Sequence, residues 1–153
     1  MSLAHSEAAL RDAVNDGVVR VLAVVGLIGV ALIHLLDLPG KLSDTPYMFW
    51  MYLALMVSCV VLAGALVRTS DSRAWLAAAF VPATVILGYV LSRTVGLPQG
   101  ADDIGNWAEP LGIASLFVEG SLVALGSGVL VSRGLARGWL RGRLPIRRAA
   151  SVA

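Results

Sequence analysis

The chain has 153 residues, enough for one domain, of which 58% are hydrophobic and only 14% charged, with a formal net charge of +2. An ordinary soluble domain carries about 25% charged residues, so the composition excludes that class and points to a protein that lives in a bilayer. The single cysteine, Cys59, excludes an internal disulfide and a Cys-rich metal site.

Residues 1–16 are polar and mixed in charge. They lack the cationic start of a secretory signal, and the apolar run behind them is too long for a signal core, so that run is expected to stay as an anchor. Four apolar blocks follow, at about 18–36, 47–67, 74–95 and 111–132. Each approaches the roughly 20 residues that cross about 30 Å of hydrocarbon as a helix. A bilayer leaves no water for stray backbone groups, so helices are the expected form. Arg20 and His34 interrupt the first block. The second has no charge. The third contains Pro82, which is expected to bend it, and ends on Arg93. The fourth contains Glu119.

The links are short. Residues 37–46 hold Pro39, Gly40 and Pro46, residues 68–73 form a polar hairpin, and residues 96–110 hold Pro98, Gly100, Gly105 and Pro110. Short links make neighbouring helices antiparallel. The fold expected is an all-α four-helix transmembrane bundle, up-down-up-down, with residues 17–132 as the membrane domain. The 96–110 link either folds back into the membrane or caps the bundle outside.

Arginine sets the orientation. Residues 1–16, the 68–73 hairpin, the basic tail at 133–153 and Arg20 share one side, whereas the opposite side has only Lys41 and Arg93. Positive charge stays in the cytoplasm, so both termini are expected inside a bacterial plasma membrane. The outer side is acidic, with Asp37, Asp44, Asp102, Asp103 and Glu109. Trp50, Trp75, Trp107 and Trp139 fall near the expected interfaces, as an aromatic belt does.

A few costly polar residues are the candidate site. Glu119 lies nine residues past Pro110, roughly 14 Å deep at the helical rise. It shares a face with Gly112, Ser115 and Gly126, small residues that suit packing against another helix. At that depth the acid is expected to be neutral, to pair with Arg93, or to pair with His34. Arg93 stands within reach of Asp102, Asp103 and Glu109, and Tyr89 shares its face. His34, Tyr89, Arg93 and Glu119 therefore form the candidate intramembrane polar cluster. Asp102, Asp103 and Glu109 form an outer acidic loop without EF-hand spacing. Aligning Pro39 with Pro98 lays His34 over Arg93, as a parallel repeat of two hairpins would. No haem or metal is expected at His34, because the other histidine, His5, falls on the opposite side.

Gly120, Ala124 and Gly128 recur every four residues and are expected to pack against a helix, either within the bundle or in a second copy. In the tail, Arg133, Arg137, Arg141, Arg143, Arg147 and Arg148 alternate with Trp139 and aliphatic residues. That pattern suits anionic lipid at the cytoplasmic surface, while Gly134, Gly138 and Gly142 argue against a stiff helix. Nucleic-acid binding would rest on composition alone and is not expected.

No Walker loop, dinucleotide fingerprint, zinc-protease helix or nucleophile elbow is present. The segment Leu-Ser-Arg-Thr-Val-Gly-Leu-Pro at 91–98, followed by Glu109-Pro110 and a fourth helix, resembles small bacterial four-helix membrane proteins of no established function. That resemblance implies the topology and a bacterial source, and no activity. The function expected is a multi-pass interaction or accessory protein, working with a membrane partner or a second copy. The alternatives are a small transporter or proton- and cation-handling carrier using Glu119, and a membrane redox or enzyme subunit using His34.

Overall fold

The computed structural model describes residues 2–142, with side chains described over 5–134. It is an all-α bundle: α1 (Ser2–Leu36), the one-turn α2 (Lys41–Asp44), α3 (Pro46–Arg68), α4 (Ser72–Thr94) and α5 (Pro110–Gly142), with a 3₁₀ turn at Ala101–Asp103 in the last link. Its four long helices are apolar enough to cross a membrane. Only 17–28% of their most apolar windows is buried inside the bundle. Val25, Leu32, Val60, Phe80 and Phe117 face outward, where hydrocarbon rather than water is the solvent that suits them.

Helix starts follow local chemistry. Pro46 and Pro110 occupy first positions, where a missing N–H costs nothing. The Asp71 carboxylate accepts a hydrogen bond from Arg73 N–H at 2.9 Å and caps α4. α1 runs unbroken from the polar N-terminal residues into the first span, because no proline divides residues 2–36. At about 1.5 Å per residue its 35 residues exceed the hydrocarbon thickness, and residues 5–18 are exposed. α5 likewise continues through Gly134 and Gly138 to Gly142. Three glycines, each costing about 1 kcal/mol, do not break it, because Leu135, Ala136, Arg137, Leu140 and Arg141 between them are good helix formers.

The long helices form a ring in the order α1, α3, α4, α5, with α4 against α5 and α1 against α3 as the main packings, while α3 and α4 meet over less of their length. The dry core lies in the half of the bundle nearer the termini. Ala23, Leu27 and Val30 of α1 meet Cys59, Ala63 and Leu66 of α3, Trp75 and Ala78 of α4, and Leu122 of α5. α5 turns Gly112, Ser115, Glu119, Leu122 and Gly126 inward. A Cβ on Gly126 would sit 2.9 Å from Ala79 Cβ, so glycine is what lets α4 and α5 approach.

Three expectations are corrected here. Gly120, Ala124 and Gly128 do not pack within the bundle: Ala124 and Gly128 are exposed, and a Cβ on Gly120 or Gly128 would meet nothing within 4 Å. They sit about 100° to 180° around the helix from Glu119, whose face already fills the inward position. Trp75 does not face outward as a belt residue would: it is wholly buried in the bundle, with the Arg133 guanidinium 5.7 Å over its ring. Arg133 does not lie on lipid but turns inward, donating to Ser70 O at 2.8 Å and pairing with Asp16 at 3.5 Å. Arg20 joins it, donating to Leu66 O and to Thr69 O at 2.6 Å and pairing with Asp16 at 2.9 Å. Carbonyls at a helix end lack helical partners, and here Leu66 O in the last turn of α3, with Thr69 O and Ser70 O in the link that follows, take their donors from the two guanidiniums. Arg137, Trp139 and Arg141 lie outside the described side chains, and Arg143, Arg147 and Arg148 lie outside the described residues.

Candidate functional site

The other half of the bundle, where the α1–α3 and α4–α5 links lie, is not dry. A cavity of about 550 Å³ occupies it. Its walls run from Met48 to Ser58 on α3 and from Val81 to Arg93 on α4, with Ile33 and His34 of α1 and Leu111, Gly112, Ser115 and Glu119 of α5. Ten residue steps along α3 and twelve along α4 correspond to about 15–18 Å of depth. The cavity exists because α3 and α4 diverge here. A Cβ on Gly88 would meet nothing within 4 Å, so no side chain fills the crevice from that position.

Arg93 is 7% exposed and anchors the mouth. Its guanidinium pairs with Asp103 at 2.5 Å and Glu109 at 3.6 Å and lies 4.7 Å over the Tyr89 ring. The link reaches these positions by folding back on the end of α4. Gly96 adopts φ +80°, a conformation that favours glycine, and Gly105 N–H donates to Arg93 O at 2.9 Å. Glu109 is held separately, accepting from the N–H groups of Leu111 (3.0 Å) and Gly112 (2.6 Å) at the start of α5. Tyr89 OH donates to Trp107 O at 3.3 Å, and Tyr47 OH on α3 donates to Pro98 O at 2.6 Å. Asp102 stays exposed and lines no wall.

His34 faces the cavity from α1, diagonally across from α4. Its Nδ1 lies 2.9 Å from Val30 O. A carbonyl only accepts, so that nitrogen carries the proton and Nε2 is left as an acceptor. Tyr52 packs edge-on against the imidazole at 4.8 Å and donates its hydroxyl to Asp37 at 2.8 Å, and Asp37 pairs with Lys41 at 3.5 Å.

Glu119 closes the deep end. It is fully buried; Ser115 Oγ donates to its Oε1 at 2.7 Å, and its Oε2 has no hydrogen-bond partner. Neither Arg93 nor His34 reaches it: Arg93 is drawn the other way by Asp103 and Glu109, and His34 bonds to its own helix. The four sequence candidates thus line one cavity, but as a mouth (Arg93, Tyr89), a side wall (His34) and a floor (Glu119). Sequence reasoning missed Tyr52, which sits in a span without charges and carries no local signal. It also missed the roles of Asp37 and Lys41, which read only as link charges. Among the described residues, no three His, Cys, Asp or Glu side chains converge as a metal site.

The arrangement suits binding. Its walls are apolar at Leu55, Val81 and Val85, its polar groups converge at two depths, and its volume falls within the roughly 300–1,000 Å³ of small-molecule pockets. Comparison of the chain with protein-family models, with curated proteins and with solved structures gave no match.

Proposed function

We propose that this is a multi-pass protein of a bacterial plasma membrane, with both termini in the cytoplasm, that works as an accessory module by binding a small molecule inside its outer half. The observation that carries the reading is a cavity ending on a fully buried carboxyl group with one unpartnered oxygen, above a dry plug. A buried polar atom without a partner is costly, and a ligand supplying a donor would remove that cost. The plug favours a binding module over a conduit. The orientation rests on Arg11, Arg20, Arg68, Arg73 and Arg133 at the termini end, against Lys41 and Arg93 at the other.

Native mass spectrometry of protein drawn from its own membranes into lipid nanodiscs tests the reading. Wild type is expected to carry a small-molecule adduct that Gly88→Leu removes, since that side chain grows into the cavity. A wild-type spectrum without an adduct, or an adduct that survives Gly88→Leu, overturns the reading. In a Cys59→Ala background, cysteines at Ser43 and Ser70 are expected to label from the periplasmic and cytoplasmic sides respectively, and the reverse pattern would invert the topology. The second reading, a carrier, draws on the same Glu119 oxygen. Proton or cation flux in proteoliposomes that Glu119→Gln abolishes would transfer the assignment to it.

A further inference from the structure

The charges around the cavity define what kind of molecule fits. Setting His34 and the two tyrosines aside, its ionisable lining comprises two bases, Lys41 and Arg93, and four acids, Asp37, Asp103, Glu109 and Glu119. Both bases are already matched: Lys41 lies 3.5 Å from Asp37, and Arg93 lies between Asp103 and Glu109. The remaining acid is Glu119, fully buried, with Ser115 on one oxygen and nothing on the other. A ligand carboxylate or phosphate would find only the Arg93 Nε–H without a partner, on a guanidinium whose charge Asp103 and Glu109 already match, and would face surplus acids. A protonated amine would bring the donor that Glu119 Oε2 lacks and a charge of the sign that is outnumbered in the lining. The walls between mouth and floor are mostly hydrocarbon, Leu55, Val81 and Val85 among them, and the hydroxyls of Ser58, Thr84 and Ser92 are spent on carbonyls of their own helices, so the body attached to that nitrogen is apolar.

We infer that the cavity takes a lipophilic amine, its ammonium on Glu119 and its apolar body between α3 and α4. The assignment rests on the binding reading above and deepens it. Glu119 is the ligand's counter-ion; Arg93 is already neutralised and makes no direct contribution to affinity.

Three matched probes separate charge from shape: 4-phenylbutylamine, the neutral 4-phenylbutan-1-ol and the anionic 5-phenylpentanoic acid. Each is titrated calorimetrically into the full chain in nanodiscs, with empty discs subtracted. The amine is expected to bind saturably and at least about tenfold more tightly than the other two, the factor a charge-assisted hydrogen bond supplies. Glu119→Gln, which keeps a side chain of the same size beside Ser115, is expected to remove that preference, Glu119→Asp to retain part of it, and Gly88→Leu to abolish binding. Equal or tighter binding of the alcohol or the acid, lost in Gly88→Leu, overturns the amine assignment and leaves the pocket reading standing. An amine preference undiminished in Glu119→Gln overturns the role of Glu119. No saturable binding by any probe overturns the amine assignment, and the native mass spectrum then decides the pocket reading on its own.

Discussion

Replacing Arg93 with glutamine removes one cation from between two carboxylates. Breaking a buried ion pair by deleting one partner costs about 3–5 kcal/mol, because the surviving charge is left unmatched. Here the survivors are not buried: the side chains of Asp103 and Glu109 are 38% and 32% exposed. Solvent takes up part of the loss, which brings the expected destabilisation to about 2–3 kcal/mol. The consequence is local. Glu109 is also held by the N–H groups of Leu111 and Gly112, whereas among the described residues Arg93 alone ties the Asp103 carboxylate to another element. Amide exchange in Arg93→Gln is therefore expected to speed up across residues 99–106 and to change little at 111–113. Unfolding in mixed micelles, followed by circular dichroism, measures the stability. The triple variant Arg93→Gln, Asp103→Asn, Glu109→Gln removes the orphaned charges and should recover about half of the loss. A loss under about 0.5 kcal/mol, or exchange that rises equally at the start of α5, would refute this account of how the link is held.

At the opposite end, Arg20→Ala leaves Leu66 O and Thr69 O without their donor and is expected to cost about 2–3 kcal/mol in the same unfolding assay; a neutral result would mean that water replaces the guanidinium. Gly126→Val drives a side chain into Ala79 and should cost about 1–3 kcal/mol. Gly120→Ala, facing open space, should stay within about 0.5 kcal/mol of wild type, and equal effects at the two sites would contradict the rotation assigned to α5. Tyr52→Phe removes the hydroxyl bond to Asp37 and is expected to cost about 1–2 kcal/mol; the imidazole-ring contact in its nuclear magnetic resonance shifts should persist.

The fold was legible because membrane helices announce themselves twice, by runs of apolar residues and by the breakers between them. Pro46, Asp71 and Pro110 mark the helix starts at the residue level. The face of α5 that carries Gly112, Ser115, Glu119 and Gly126 could be read from helical spacing alone. Glu119 stood out because an acid in a hydrocarbon-length run is costly. What stayed hidden is relational. Nothing in residues 47–67 or 74–95 says that the two helices part on one side and touch on the other. Without that parting, Tyr52 is one more aromatic in an apolar run, and Asp37 and Lys41 are link charges. Arg133 misled for a related reason. An arginine just beyond a span has two good destinations, headgroups or unsatisfied carbonyls, and the choice depends on where the α3 terminus falls. The Gly120, Ala124 and Gly128 spacing had the same ambiguity, since a small stripe says that something can approach and not that anything does.

Binding module and carrier differ in one physical quantity, the ease with which the plug below Glu119 opens, and the chain has its own reporter there. Cys59 is fully buried among Ala63, Leu66 and the facing α1 residues. It lies 13 residues into α3, so roughly 20 Å below the link end, past the floor of the cavity. A carrier must at some point expose the floor to the termini side, and Cys59 lies on that route. Opening it would separate α1 from α3, which the bonds from Arg20 to Leu66 O and Thr69 O oppose. The expected result is that a water-soluble methanethiosulfonate reagent leaves Cys59 unmodified from the termini side in proteoliposomes, with and without 4-phenylbutylamine. Arg20→Ala should speed the reaction at least about tenfold if those bonds hold the plug shut, the factor that corresponds to about 1.4 kcal/mol of opening free energy. Unchanged silence in Arg20→Ala would place the closure in the side-chain packing of Leu27, Leu66 and Trp75 alone. Amine-dependent modification of wild type would show that ligand binding opens the plug, and the binding-module reading would then give way to the carrier.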